Sequence, residues 1–96
     1  MLTNNDKKYL RTLGMNYRSL ILIGKEGISD NLVSTLSDSL EAHELVKCSL
    51  LKTSPITTRQ AAIECASLTH SEVVHIIGHT FLLYRRSKEN KLGLKK

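Results

Sequence analysis

Leu20-Ile21-Leu22-Ile23-Gly24-Lys25-Glu26-Gly27-Ile28-Ser29-Asp30 is the stretch on which the fold turns. Its first four residues are continuously apolar and stop at a glycine, the pattern of a short interior parallel strand buried on both faces. Gly24-Lys25-Glu26-Gly27 reads as a tight loop. Ser29 is a good helix N-cap, and Asp30 suits the positive end of a helix dipole. Leu32, Val33, Leu36 and Leu40 then recur at helical spacing, so a helix is expected over 30–43. A strand feeding through a glycine loop into an amphipathic helix is the first half of a strand–helix–strand unit. Such units require parallel pairing and a right-handed crossover.

Upstream, residues 4–13 read as a helix that Thr3 or Asn4 caps and that Gly14 closes in the left-handed conformation. Tyr9, Leu10 and Leu13 share one face of it, and Asn16-Tyr17-Arg18 forms a loop. Downstream, Leu45 to Leu51 alternates. Val46, Cys48 and Leu50 point one way, and Leu45, Lys47, Ser49 and Leu51 point to a more exposed side. Lys52-Thr53-Ser54-Pro55 breaks that strand at the only proline of the chain. Thr57 or Thr58 starts a third helix to about Leu68, with Ala62, Cys65, Ala66 and Thr69 on a close-packing face. Val73 to Ile77 is a further strand, Gly78-His79 suits a type II′ hairpin, and Thr80 to Tyr84 pairs back. A basic end begins at Arg85. The expected class is α/β, a single domain over residues 1–96 with a mixed four-stranded sheet in the order α-β-α-β-α-β-β.

Composition agrees with one globular domain: 96 residues, 41% apolar and 24% charged. No apolar run approaches the roughly 18–20 residues that cross a bilayer, and Met1 to Asp6 lacks the layout of a signal peptide. A cytoplasmic protein is expected, with Cys48 and Cys65 as buried free thiols.

The net charge of +5 is unevenly placed. Residues 1–25 carry Lys7, Lys8, Arg11, Arg18 and Lys25 against Asp6, a balance of +4. Residues 26–46 carry Glu26, Asp30, Asp38, Glu41 and Glu44 with no Lys or Arg, a balance of −5. Residues 84–96 carry Arg85, Arg86, Lys88, Lys91, Lys95 and Lys96 against Glu89, again +5. Such asymmetry points to an anionic partner, nucleic acid or an acidic membrane surface. A solubilising tail is the alternative for the C-terminal end alone. Asp30, Asp38, Glu41 and Glu44 read as a solvated helix face.

The loop 24–27 carries the most pointed chemistry. Its glycines let a ligand approach the backbone. It leads into a helix N-terminus whose free N–H groups attract phosphate, and Lys25 adds a full charge. A short G-x-x-G loop is how KH modules clamp a nucleic-acid backbone, yet any tight strand-to-helix turn favours glycine. No P-loop or dinucleotide fingerprint is present. His43, His70, His75 and His79 have no metal-ligand spacing; His43 and His70 sit at helix ends, and His75 reads as a packed or edge residue. No residue is marked as a nucleophile, so no enzymatic activity and no cofactor are expected. Aromatic residues are few. Phe81 reads as core, and Tyr17 beside Arg18 is the best stacking position, which favours backbone and shape recognition over a stacking platform.

With these residues in place, the sequence resembles the YhbY-type, single-domain members of the CRM group (chloroplast RNA splicing and ribosome maturation). The matching stretches are Leu22-Ile23-Gly24-Lys25-Glu26-Gly27-Ile28, Glu44-Leu45-Val46-Lys47, Val73-Val74-His75-Ile76-Ile77-Gly78 and Leu82-Leu83-Tyr84-Arg85-Arg86-Ser87. The resemblance covers nearly the whole chain. It implies a fold similar to the C-terminal domain of translation initiation factor three with an added N-terminal helix, and a strand order of 1-2-4-3 with the last strand antiparallel. It also implies RNA binding, with stand-alone bacterial members associated with precursors of the large ribosomal subunit. The family's loop carries over to Gly24, Lys25, Glu26 and Gly27, and its basic end to Arg85 and Arg86. Two departures stand out. His79 replaces a usual lysine, weakening the basic charge expected at that corner. Ser19 replaces a frequent proline.

The resulting expectation is a non-enzymatic, monomeric assembly factor on ribosomal RNA in a ribosomal precursor particle, with no membrane and no small-molecule substrate. Lys25 and the backbone near Ile28 and Ser29 hold phosphate. Lys7, Lys8, Arg11, Tyr17, Arg18, Arg85, Arg86 and Lys88 complete one RNA-facing surface. A rival expectation is a protein-interaction module of the ribosome or translation apparatus, docking through the acidic second helix.

Overall fold

The computed structural model describes residues 3–87. Helices α1 (Asn4–Gly14), α2 (Asp30–His43) and α3 (Thr58–Thr69) alternate with strands β1 (Ile21–Ile23), β2 (Leu45–Leu50), β3 (Glu72–Ile77) and β4 (Thr80–Tyr84) in the expected order. The strands form one sheet, β1-β2-β4-β3. β1 runs parallel to β2, and β4 is antiparallel to both β2 and β3. Each helix begins where a side chain replaces a missing backbone partner. Thr3 Oγ1 accepts from Asp6 N at 3.1 Å while Thr3 N donates to the Asp6 carboxylate at 3.1 Å. Thr57 and Gln60 form the same reciprocal box, and Ser29 Oγ accepts from Leu32 N at 3.1 Å.

The sheet separates two unequal cores. On one face α2 and α3 cover Ile21, Ile23, Val46, Cys48, Leu50, Phe81 and Leu83. The helices contribute Leu36, Leu40, Ala61, Ala62 and Cys65, and the small residues let them pack closely. Phe81 and both cysteines are fully buried, as expected. Burial pushes the Cys65 thiol up to about 11 and that of Cys48 up as well, so neither is a thiolate at neutral pH. On the other face α1 lies over β2 and β3 and seals Leu10, Leu45, Val74, Leu82 and Tyr84. Tyr9 is not part of this seal and stands half-exposed.

Two local expectations change. The run Leu20–Ile23 is an edge strand, not an interior one: among the described residues β1 has a neighbour only in β2. Ile21 and Ile23 enter the core, whereas Leu20 and Leu22 are 53% and 56% exposed. α1 is positioned over β2 and β3 and leaves β1 bare on that face. The hairpin behaves as expected, with Ile77 opposite Thr80 and Gly78 at φ +56°. His75 lies half-buried on the edge strand β3, next to a bulge between Val73 and His75.

Gly14 is the second change. It stays within the helix, and the chain leaves through Met15 at φ −60°. The glycine is needed for close approach: a Cβ there would lie 2.5 and 2.7 Å from the two methyls of buried Leu82. Gly14→Val should therefore destabilise the protein by about 2 kcal/mol, since overpacking costs more than the improved helix propensity returns. Urea unfolding checks this; an unchanged midpoint would mean that Leu82 moves aside freely.

Candidate functional site

The turn after β1 is closed by a hydrogen bond from Gly27 N to Gly24 O at 3.0 Å. Gly27 is buried and has φ +66°, which side-chain-bearing residues rarely adopt. Gly24 has no such constraint, and a Cβ there would meet only Leu51 and Thr53 at ordinary contact distances. Gly27→Val should lower stability by about 1–2 kcal/mol through backbone strain, whereas Gly24→Ala should stay within about 0.5 kcal/mol. Thermal unfolding of the two variants compares them directly; equal losses would contradict the asymmetry.

The loop does not stand alone. Parallel pairing places the residues after β2 beside those after β1. Gly24 faces Leu51 and Thr53, and Gly27 faces Pro55. The α3 N-terminus is tied to the same end, because Thr58 Oγ1 donates to Gly78 O at 3.0 Å. Leu50 N also donates to His79 O at 2.7 Å. The ends of β1 and β2, the β3–β4 hairpin and the starts of α2 and α3 thus meet at one pole of the molecule. Lys25, Lys52, Arg59 and His79 are all exposed there. So are Glu26 and Asp30, which keeps the net charge small and leaves much of any anion binding to backbone N–H groups. Lys52, Arg59 and His79 were not among the expected contact residues. The parallel pairing of β1 with β2 would have pointed to Lys52.

The remaining expected residues do not join this pole. Tyr17 and Arg18 line a shallow depression with Leu20, His43 and Leu45, at the opposite end of β1 and β2. Arg86 leaves β4 at that same opposite end and is exposed. The length of β2 puts roughly 17–20 Å between the two ends. Lys7, Lys8 and Arg11 lie on α1, across the sheet from α2 and α3. Lys88 is outside the described residues. The single continuous surface expected from the charge pattern is therefore divided into three areas.

Arg85 is engaged within the fold. Its guanidinium donates to Ser37 Oγ at 3.1 Å, Ser37 O at 2.8 Å and Thr69 O at 2.9 Å, and lies 3.6 Å from Glu41. Glu44 departs from the expected solvated face. It caps α2 at φ +66° and is fully buried, and its carboxylate accepts from Ser87 N at 2.8 Å and Ser87 Oγ at 2.5 Å. The turn at Glu44 reverses the chain into β2, which carries this side chain under the exit of β4. Asp30, Asp38 and Glu41 remain exposed, as expected. Among the described residues no group of three or more His, Cys, Asp or Glu side chains is arranged to hold a metal. No helix among them is long and apolar enough to cross a membrane.

Comparison with known proteins gives a consistent picture. The "Probable RNA-binding protein YqeI" of Bacillus subtilis (strain 168) is 35% identical over 91 residues, covering 95% of both chains. An "RNA-binding protein" of Haemophilus influenzae is 26% identical, covering 97% of this chain and 94% of that one. The solution structure of the hypothetical protein SAV1595 from Staphylococcus aureus superposes with a TM-score of 0.81 at 39% identity, covering 96% of each chain. The family model of the CRS1 / YhbY (CRM) domain matches residues 2–85. The chain belongs to the CRS1 / YhbY (CRM) domain family.

Proposed function

We propose that this protein binds RNA at the pole built around Gly24–Gly27, and that its target is ribosomal RNA in a precursor of the large ribosomal subunit. It acts there as a cytoplasmic, monomeric assembly factor without catalytic turnover. The observation that carries this reading is the meeting of the glycine loop, two capped helix N-termini and the exposed side chains of Lys25, Lys52 and Arg59 at one pole. Loops of this kind grip a phosphate backbone through N–H groups and flanking cations. The relatives named as RNA-binding proteins and the family resemblance support the choice of RNA and of the ribosomal precursor.

Affinity for a structured fragment of large-subunit ribosomal RNA should fall with salt, with a log–log slope of roughly −0.7 to −0.9 per phosphate contact. Absence of binding even at low salt would end the RNA reading. Crosslinking in cells, with mapping of the contacted nucleotides, tests the ribosomal target; contacts confined to other RNAs would replace it. Docking through the acidic helix is the weaker reading, because Glu44 is buried and Glu41 lies against Arg85.

A further inference from the structure

The half of the sheet that α1 leaves bare has its own character. Leu22 of β1, Leu51 after β2 and Ile77 of β3 stand 56%, 47% and 64% exposed. The strand register gives the row Leu22, Ser49, Thr80, Ile77 across the sheet, so two apolar groups flank a central pair of hydroxyls. Ser49 Oγ lies 3.3 Å from Thr80 Oγ1 and is also hydrogen-bonded to Ser19 Oγ. Where this face meets the end of α1 there is a cleft of about 200 Å³, lined by buried Gly14 and Leu82 and by exposed Ile77 and Met15. Met15 is 75% exposed. Among the described residues, the ionisable groups along the cleft are Arg11, Lys47 and His75, and none is a carboxylate.

We propose that this cleft receives one unstacked nucleobase of a single-stranded segment of the bound RNA. The inference rests on the RNA-binding reading above and extends it across the sheet. Three observations select the occupant. The volume is below the usual range of roughly 300–1,000 Å³ for small-molecule pockets and suits a single planar ring system. The walls are apolar and the rim is cationic, which matches a base with a phosphate on either side. The face is continuous with the glycine-loop pole, because the Leu51 side chain lies 3.5 Å from where a Gly24 Cβ would be. A strand gripped at Gly24–Gly27 therefore passes over Leu51 and Thr80 to reach the cleft, with Arg11 and Lys47 on its backbone.

The test uses the full chain and two probes, a 15-nucleotide oligouridylate and an RNA duplex of equal length. Ile77→Glu and Met15→Glu come from different elements and are both exposed, so neither should disturb folding; circular dichroism verifies that. Each should weaken oligouridylate binding about tenfold and leave duplex binding within about twofold. A 4-thiouridine in the oligomer should crosslink to the segments containing Met15 or Ile77. Unchanged oligouridylate affinity in both variants, or crosslinks confined to residues 24–29, would overturn the base-binding cleft and leave RNA binding at the loop standing. Intact RNA binding with loss of precursor-particle association would instead make the face a protein-docking surface and overturn the proposal. Failure of the unaltered protein to bind either probe at low salt would remove both this proposal and the RNA reading beneath it.

Discussion

Arg85→Ala should lower the free energy of unfolding by about 3 kcal/mol and leave RNA affinity, corrected for the folded fraction, unchanged. The guanidinium makes three hydrogen bonds that join the exit of β4 to the middle of α2 and to the end of α3. Two of them go to backbone carbonyls. That of Thr69 belongs to the last residue of its helix and has no partner within the helical ladder. A positive charge there also suits the negative end of the α3 dipole. Hydrogen bonds from charged donors contribute roughly 1.5–3 kcal/mol each when buried. Arg85 is 22% exposed, so their sum is discounted, and the pair with the exposed Glu41 adds little. Lysine cannot reproduce the fork, so Arg85→Lys should recover less than half of the loss. Arg86→Ala gives the contrast, since that exposed side chain should have a stability effect below about 0.5 kcal/mol. Urea unfolding of the three variants reads the result. A stable Arg85→Ala that binds RNA poorly would return Arg85 to the contact surface.

The same corner shows why an RNA-contact role for Arg85 and a solvated position for Glu44 are natural expectations from sequence. In a one-dimensional charge count, Arg85 opens a basic tail and Glu44 ends an acidic helix. The fold crosses those two regions: Arg85 N donates to Glu44 O, and Ser87 closes onto the Glu44 carboxylate. Spacing reveals the faces of one element, but not which element lies over them. The helix starts were legible because Thr3, Ser29 and Thr57 act on residues three positions away. The strand order was legible only through the family resemblance. The exposure of Leu20 and Leu22 was hidden for a related reason. An apolar run is compatible with burial on both faces, and only the position of α1 decides that one face stays open. Lys52 was only half hidden: parallel pairing of β1 with β2 is expected from sequence, but the register Ile23 to Leu50, which sets how close Lys52 comes to the glycine loop, is not.

That register leads to the largest expected change in affinity. The double variant Lys25→Glu, Lys52→Glu should weaken binding to a structured ribosomal RNA fragment by about 30- to 100-fold at moderate salt, equivalent to about 2–3 kcal/mol. Its stability should stay within about 0.5 kcal/mol, because both side chains are exposed. If each lysine neutralises one phosphate, the salt dependence should also flatten by about 1.4–1.8 in log–log slope. The matched control is Arg18→Glu, Arg86→Glu at the opposite end of the sheet. It changes the net charge by the same amount, so a long-range effect of charge alone would weaken both variants equally. A local phosphate grip at the loop pole requires the first pair to lose much more than the second, with the control falling no more than about threefold. Equal losses would reduce the interaction to general electrostatic attraction, and a larger loss in the control would move the binding site to the Tyr17–Arg18 end. The comparison separates these cases because the two pairs differ in position and not in charge. The glycine loop, the helix N-termini and Lys52 share only one of those positions.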